Sequence, residues 1–298
     1  MSRPVAVLFL LLATAIWGFA FVAQKSAMDH MGPMTFGGAR FLLGGLALLP
    51  FALAEHRRKP GAVAAVTRRQ WLLVGILCAG FFLAATVQQY GLIYTSVTNS
   101  GFLTSLYVLF VPIIAWLAVR QRPHPAIYVG APLALVGIYH LNGGTLTDFN
   151  IGDALMVLGA VFWGVQVFLI GLLSRETGLP VILSALSFAV VGLLSVAGAL
   201  AFETPDLSTL ADGWIEIAYA GLLSTAVAYT LQAVAQQYVP AANAAVVLSA
   251  ESLFAALGGA LLLAERLTPV GYAGAALIFV AILVVEAVPA LRRRRAVA

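Results

Sequence analysis

Charged residues are scarce in this sequence: Asp, Glu, Lys and Arg supply 9% of its 298 positions, while 62% are hydrophobic and the mean hydropathy is +1.00. Ordinary soluble domains carry about 25% charged residues, so a water-soluble fold cannot hide this much apolar surface. Cysteine is rarer still. Cys78 stands alone inside an apolar run, which excludes a disulfide framework and a thiolate metal cluster. No G-x-x-x-x-G-K-[ST] occurs, and no stretch between the apolar runs has the length of a soluble domain, so a nucleotide-driven motor has no place here. An intramembrane enzyme finds little support either. There is no His-x-x-x-His or H-E-x-x-H, the four histidines (His30, His56, His124, His140) fall at the ends of predicted helices, and no nucleophile stands beside a base. No cofactor, metal or nucleic-acid partner is expected.

What is abundant is hydrophobic sequence in long blocks. A membrane-spanning helix needs about 20 mostly apolar residues, and ten such runs are present: about 4–27, 34–54, 71–94, 98–119, 125–141, 152–173, 180–202, 214–236, 242–264 and 270–288. The breaks between them hold turn residues, among them Gly32-Pro33, Lys59-Pro60, Arg122-Pro123, Asn142-Gly143-Gly144, Gly178, Pro205 and Pro240. The fold class expected is an all-α integral membrane protein of ten transmembrane helices. Arg3, the apolar run from Val5 and Ala13-Thr14-Ala15 resemble a secretory signal, but the run continues through Trp17 to Val22, so this segment is expected to be retained as the first helix. With the amino terminus in the cytoplasm, Arg3, Arg57, Arg58, Lys59, Arg68, Arg69, Arg120, Arg122, Arg175 and Arg292 to Arg295 share one side, thirteen of the sixteen Lys and Arg. The positive-inside rule then places both termini in the cytoplasm. Asp148, Glu203, Asp206 and Asp212 occupy the opposite loops.

The chain repeats itself. A shift of 144 superposes Arg122, Pro125, Tyr128 and Gly130 on Arg266, Pro269, Tyr272 and Gly274. It also pairs Gln88 with Gln232, Asn99 with Asn243, Ser105 with Ser249, and Leu109-Phe110 with Leu253-Phe254. A shift of 146 pairs Trp17-Gly18 with Trp163-Gly164. Two halves are therefore expected, 1–145 with five helices and 146–298 with five more and the basic tail. Five is odd, so the second half enters the membrane from the opposite side, giving two inverted five-helix repeats. Secondary transporters use this plan, with the substrate at the repeat interface near the midplane and access alternating as the halves rock. Channels and membrane enzymes can also be duplicated.

Two halves of five helices, Trp-Gly in the first helix of each, Pro112 in the fourth helix, and Glu265-Arg266 ahead of Pro269 and Gly274 resemble the drug/metabolite transporter superfamily. Within it the chain is most similar to the EamA-type ten-helix exporters, over nearly its whole length. The resemblance implies a bacterial inner (cytoplasmic) membrane protein that exports aromatic and other neutral amino acids by alternating access. One departure is Gln121, which stands where the second half has Glu265, so a role of that acid is not shared by both repeats.

Polar side chains inside the spans should face other helices or a watery cavity. Their placement is uneven, and the path is expected between six helices. The first carries Thr14, Trp17 and Gln24; the third Gln88, Gln89 and Tyr90; the fourth Asn99, Ser100 and Tyr107; the sixth Trp163 and Gln166; the eighth Thr225, Tyr229, Gln232 and Gln236 at helical spacing; the ninth Asn243 and Glu251. The fifth from Val129 to Ile138 and the tenth from Ala273 to Val285 have none, and read as scaffold facing lipid or a partner subunit. Trp17 and Trp163 are either aromatic faces for substrate or packing residues beside glycines. The substrate-binding set is Trp17, Gln24, Gln89, Tyr90, Asn99, Tyr107, Trp163, Gln166, Tyr229, Gln232 and Asn243, the amides having interhelical hydrogen bonds as the alternative. Gln88 to Tyr90 span too much of the circumference to share one face. Glu251, the one acid deep in a span, is a candidate carrier of a coupling proton, or else a hydrogen-bonded structural group. Arg40 is expected to snorkel to the interface before holding a substrate carboxylate. Lys25 and Glu265 read as anchors and caps. A passive channel, or an exporter of nucleosides, sugars or drugs, remains the alternative function. The expected partners are a small-molecule substrate and the lipid bilayer; the sequence leaves the oligomeric state open, a monomer being compatible with it.

Overall fold

A computed structural model describes residues 1–120, 124–141, 150–262, 266 and 268–295. Gln121, Arg122, Asp148, Glu265 and the side chains of Arg292 to Arg295 lie outside the described residues. Every regular element described is helical; eight helices are long and apolar enough to cross a membrane, and two shorter apolar stretches, Ile127–His140 and Pro269–Val285, bring the bundle to ten. They are α1 (Arg3–Ala27), α2 (Pro33–Arg58), α3 (Arg68–Tyr94), α4 (Val97–Thr104 and Tyr107–Val119) and α5 (Ile127–Leu141) in the first repeat. The second holds α6 (Ile151–Thr177), α7 (Pro180–Phe202), α8 (Trp214–Ala235), α9 (Ala241–Leu248 and Glu251–Leu262) and α10 (Pro269–Arg295). Local chemistry sets the ends. Pro33 and Pro180 occupy first turns, where a missing N–H costs nothing. Capping boxes open α3 at Thr67–Gln70 and α6 at Asn150–Asp153. Gly178 closes α6 at φ +68°, a left-handed position that favours glycine.

The inverted repeat is visible in the packing. Exchanging α1–α5 with α6–α10 maps neighbours onto neighbours: α2 packs on α7 and α5 on α10, α3 with α6 is matched by α8 with α1, and α4 with α6 by α9 with α1. The glycines after the repeated tryptophans make the last two contacts possible. A Cβ on Gly18 would strike Phe254 and the Ala255 backbone, and one on Gly164 would sit 3.0 Å from the Cβ of Phe110, the repeat partner of Phe254.

Two reciprocal caps hold the α2–α7 pair. Glu203, just past α7, accepts from the Met34 and Thr35 amides at the start of α2 (both 2.8 Å) and from Thr35 Oγ1 (2.7 Å). Glu55, near the end of α2, accepts from the Val181 and Ile182 amides at the start of α7 (3.0 and 2.9 Å). Each carboxylate meets the positive end of a helix dipole, and the two caps lie at opposite ends of one antiparallel pair. The outer scaffold is α5 with α10. Gly137 abuts Gly274 and Ile278, while Tyr128, Val129, Tyr272 and Phe279 point outward.

Candidate substrate cavity

A cavity of about 30 Å³ lies between α1, α3, α4, α6, α8 and α9, the six helices expected to line the path. Its middle is aromatic. Tyr229 stacks on Trp163 with centroids 5.8 Å apart and planes 14° from parallel, and tilts against Trp17 at 4.6 Å. Phe81 closes the cluster edge-on to Trp163 and Tyr229. Both indoles are fixed by their N–H: Trp163 Nε1 donates to Gln88 Oε1 (2.7 Å) and Trp17 Nε1 to the Ser224 carbonyl (3.1 Å). Buried tryptophans need such partners.

Amides form the polar rim. Gln24 Oε1 accepts from Gln88 Nε2 (3.2 Å) and from Arg40 Nη1 (3.0 Å), while Gln166 and Gln232 bond each other reciprocally at 3.3 Å. Glu251 is 4% exposed and lines the cavity beside Tyr107, its partner under the 144-residue shift. Neither Glu251 Oε1 nor Tyr107 Oη finds a hydrogen-bond partner among the described residues.

Both residues stand where their helices break. In α4 the turn at Ser105-Leu106, and in α9 the turn at Ser249-Ala250, replace the α-helical ladder by i→i−3 bonds, and Tyr107 and Glu251 each open the following segment. The breaks face each other, Ser105 Oγ lying 3.5 Å from the Ser249 carbonyl. No proline or glycine marks either turn, so the sequence reads α4 and α9 as continuous. Discontinuous helices at a repeat interface are a recurrent basis of transporter binding sites.

Of the expected binding residues, Trp17, Gln24, Tyr107, Trp163, Gln166, Tyr229 and Gln232 converge on this cavity with Glu251. The others lie elsewhere. Gln89 Nε2 bonds the Gln24 carbonyl (2.9 Å), and Tyr90 Oη is 3.5 Å from Glu203 at the edge of a wider depression. Asn99 joins Thr95 on the buried carboxylate of Asp153, and Asn243 Nδ2 bonds the Val285 carbonyl of α10 (3.2 Å). Gln88, the member of its triplet that lines the cavity, was masked by that adjacency.

Two expectations need correction. Thr225 does not line the cavity with Tyr229 and Gln232: in the π-helical stretch of α8, Tyr219–Tyr229, its side chain packs against Gly44 of α2 and Ser224 stands on the cavity wall. Arg40 does not snorkel. It is 2% exposed, bonded to Gln24 and stacked over Phe36 and Phe41, since α2 packs against α3, α7 and α8 and turns Arg40 inward to reach Gln24 of α1. Lys25 acts as a cap, donating to the Leu92 and Ile93 carbonyls at the end of α3.

With this arrangement in view, the profile of the EamA-like transporter family matches the chain twice, over residues 4–143 and 150–287, once in each repeat. The chain belongs to the EamA-like transporter family. The transporter is 37% identical to an uncharacterized transporter of Archaeoglobus fulgidus over 96% of its own length and 87% of the relative's. It is 30% identical to the uncharacterized transporter YwfM of Bacillus subtilis over 95% and 94%. A solved crystal structure superposes on 98% of the transporter and 99% of its own chain, with a TM-score of 0.78 at 19% identity, and so shares the fold. Membership in the drug/metabolite transporter superfamily follows.

Proposed function

We propose that this transporter exports aromatic and other small neutral amino acids across a bacterial inner membrane by alternating access through the central cavity. The observation that carries the reading is the aromatic cluster of Trp17, Trp163 and Tyr229, anchored by its own hydrogen bonds and ringed by amides. Such a surface suits a planar or apolar side chain joined to a polar head. The cavity's size fits an occluded stage of the cycle, since about 30 Å³ holds a water or two. Substrate therefore enters by separation of the surrounding helices, and the breaks in α4 and α9 are natural hinges for it. The basic side, with Arg57, Arg58, Arg68 and Arg69, faces the cytoplasm together with both termini. Glu251 carries the coupling proton.

The test is uptake of labelled tryptophan, phenylalanine and small neutral amino acids into proteoliposomes of purified protein, with and without a pH gradient. The reading expects saturable flux that responds to the gradient, and a response lost in Glu251→Gln. Flux independent of the gradient in the wild type removes the proton role. No flux of any amino acid removes the substrate assignment.

A further inference from the structure

Among the described residues Arg40 is the one buried cation, and it has no carboxylate partner. A guanidinium stays charged at any physiological pH, and an uncompensated buried charge is costly. The faces of this one are covered by Phe36 and Phe41, 5.3 and 4.6 Å from the ring centroids. Its hydrogen-bonding edge is poorly served. Nη1 meets the neutral oxygen of Gln24, and Nε meets nothing.

Among the described residues the two buried acids, Asp153 and Glu251, do not serve as its counter-ion. Asp153 is occupied by Thr95 and Asn99, and Glu251, beside Tyr107 on the cavity wall, forms no ion pair with Arg40 among the described residues. The Gln24 oxygen is instead the meeting point of two donors, Arg40 Nη1 and Gln88 Nε2, and both glutamines line the cavity. A carboxylate oxygen at that point would accept both donors with full charge assistance, and its second oxygen would be available to the unsatisfied guanidinium edge.

We propose that Arg40 is the anion anchor of the cavity, holding the carboxylate of the transported solute after that carboxylate displaces the Gln24 amide oxygen. The anchor rests on the reading of this cavity as an amino-acid site and sharpens it. The carboxylate binds at the Arg40–Gln24–Gln88 end and the apolar side chain lies on the Trp17, Trp163 and Tyr229 rings. Solutes with a carboxylate are then selected, while amines and cationic drugs that lack one are rejected by the like charge.

The experiment is competition against labelled tryptophan counterflow in proteoliposomes of the full chain, using indole-3-propionate, tryptamine and tryptophanamide. In the wild type indole-3-propionate should compete, and tryptamine and tryptophanamide should compete at least about tenfold more weakly than tryptophan. Arg40→Gln should bring the series to within about twofold, and Arg40→Lys should keep part of the discrimination. The wild-type series alone can overturn the anchor even if Arg40→Gln fails to fold, and Arg40→Lys then links the preference to this side chain. Tryptamine matching tryptophan in the wild type, or full discrimination retained by folded Arg40→Gln, overturns the anchor and leaves the amino-acid reading standing. Absence of any tryptophan counterflow overturns both.

Discussion

Trp163 makes two kinds of contact, a hydrogen bond from its N–H to Gln88 and a near-parallel stack on Tyr229, and these separate its roles. Aromatic contacts contribute about 0.5–1.5 kcal/mol beyond area burial, so Trp163→Ala should raise the KM for tryptophan about two- to tenfold. Trp163→Phe keeps the ring and loses the donor. It should recover most of the affinity for aromatic substrates, and equal KM values for the two variants would assign Trp163 to packing alone. At this scale the sequence was partly readable. The tryptophans, Tyr229, Gln166, Gln232 and Glu251 could be picked out because polar or aromatic groups in apolar helices are conspicuous. Gln89, Asn99 and Asn243 look identical in sequence, yet they satisfy backbone carbonyls or Asp153. One-dimensional spacing does not tell which side of a crowded helix meets a neighbour's carbonyl and which meets open space. Arg40 illustrates the same limit, since its depth depends on how α2 packs against α3, α7 and α8.

The element scale is dominated by the repeat. Glu55 and Glu203 cap each other's helices, and a cap of this kind contributes about 1–2 kcal/mol. Glu55→Ala and Glu203→Ala should each lower the melting temperature in detergent, by similar amounts. The caps lie at opposite ends of helices about 35–39 Å long, so the double variant should show the sum of the two losses. A double variant no less stable than either single would mean that the α2–α7 pair opens at one end already. Close helix contact gives a second test. Gly18→Val should abolish or sharply reduce folded yield, because its side chain must displace Phe254 and the α9 backbone, whereas Gly75→Val, with nothing within 4 Å, should fold normally. Helix existence was legible at this scale, with expected and observed spans agreeing to within a few residues at most ends. The breaks in α4 and α9 and the π-helical stretch of α8 were not, because residues there keep ordinary right-handed dihedrals and contain no proline. The π-helical stretch lies where Gly44 and Gly221 bring α2 and α8 into backbone contact, a tertiary condition absent from local sequence.

At the scale of the whole molecule, the positive-inside rule applied to the asymmetric charge distribution predicts one membrane orientation. Cys78 is buried, so the chain offers a quiet background for introduced cysteines. A cysteine at Asp206 should react with a membrane-impermeant maleimide on intact cells, and one at Arg58 only after permeabilisation; the reverse pattern would invert the bundle. Repeat symmetry is broken inside the cavity, where Tyr107 faces its counterpart Glu251 and Trp163 and Trp17 find different partners. Such asymmetry suits a substrate with two unlike ends. It also means that the two half-cycles, inward and outward opening, need not be equally easy. The measurement that bears most directly on the account is tryptophan counterflow in proteoliposomes, with wild type and Trp163→Ala side by side. Saturable uptake of labelled tryptophan, accelerated by unlabelled tryptophan trapped inside and shifted to higher concentration by Trp163→Ala, is the expected result. Uptake that rises linearly with concentration and ignores trapped tryptophan would contradict alternating access through this cavity.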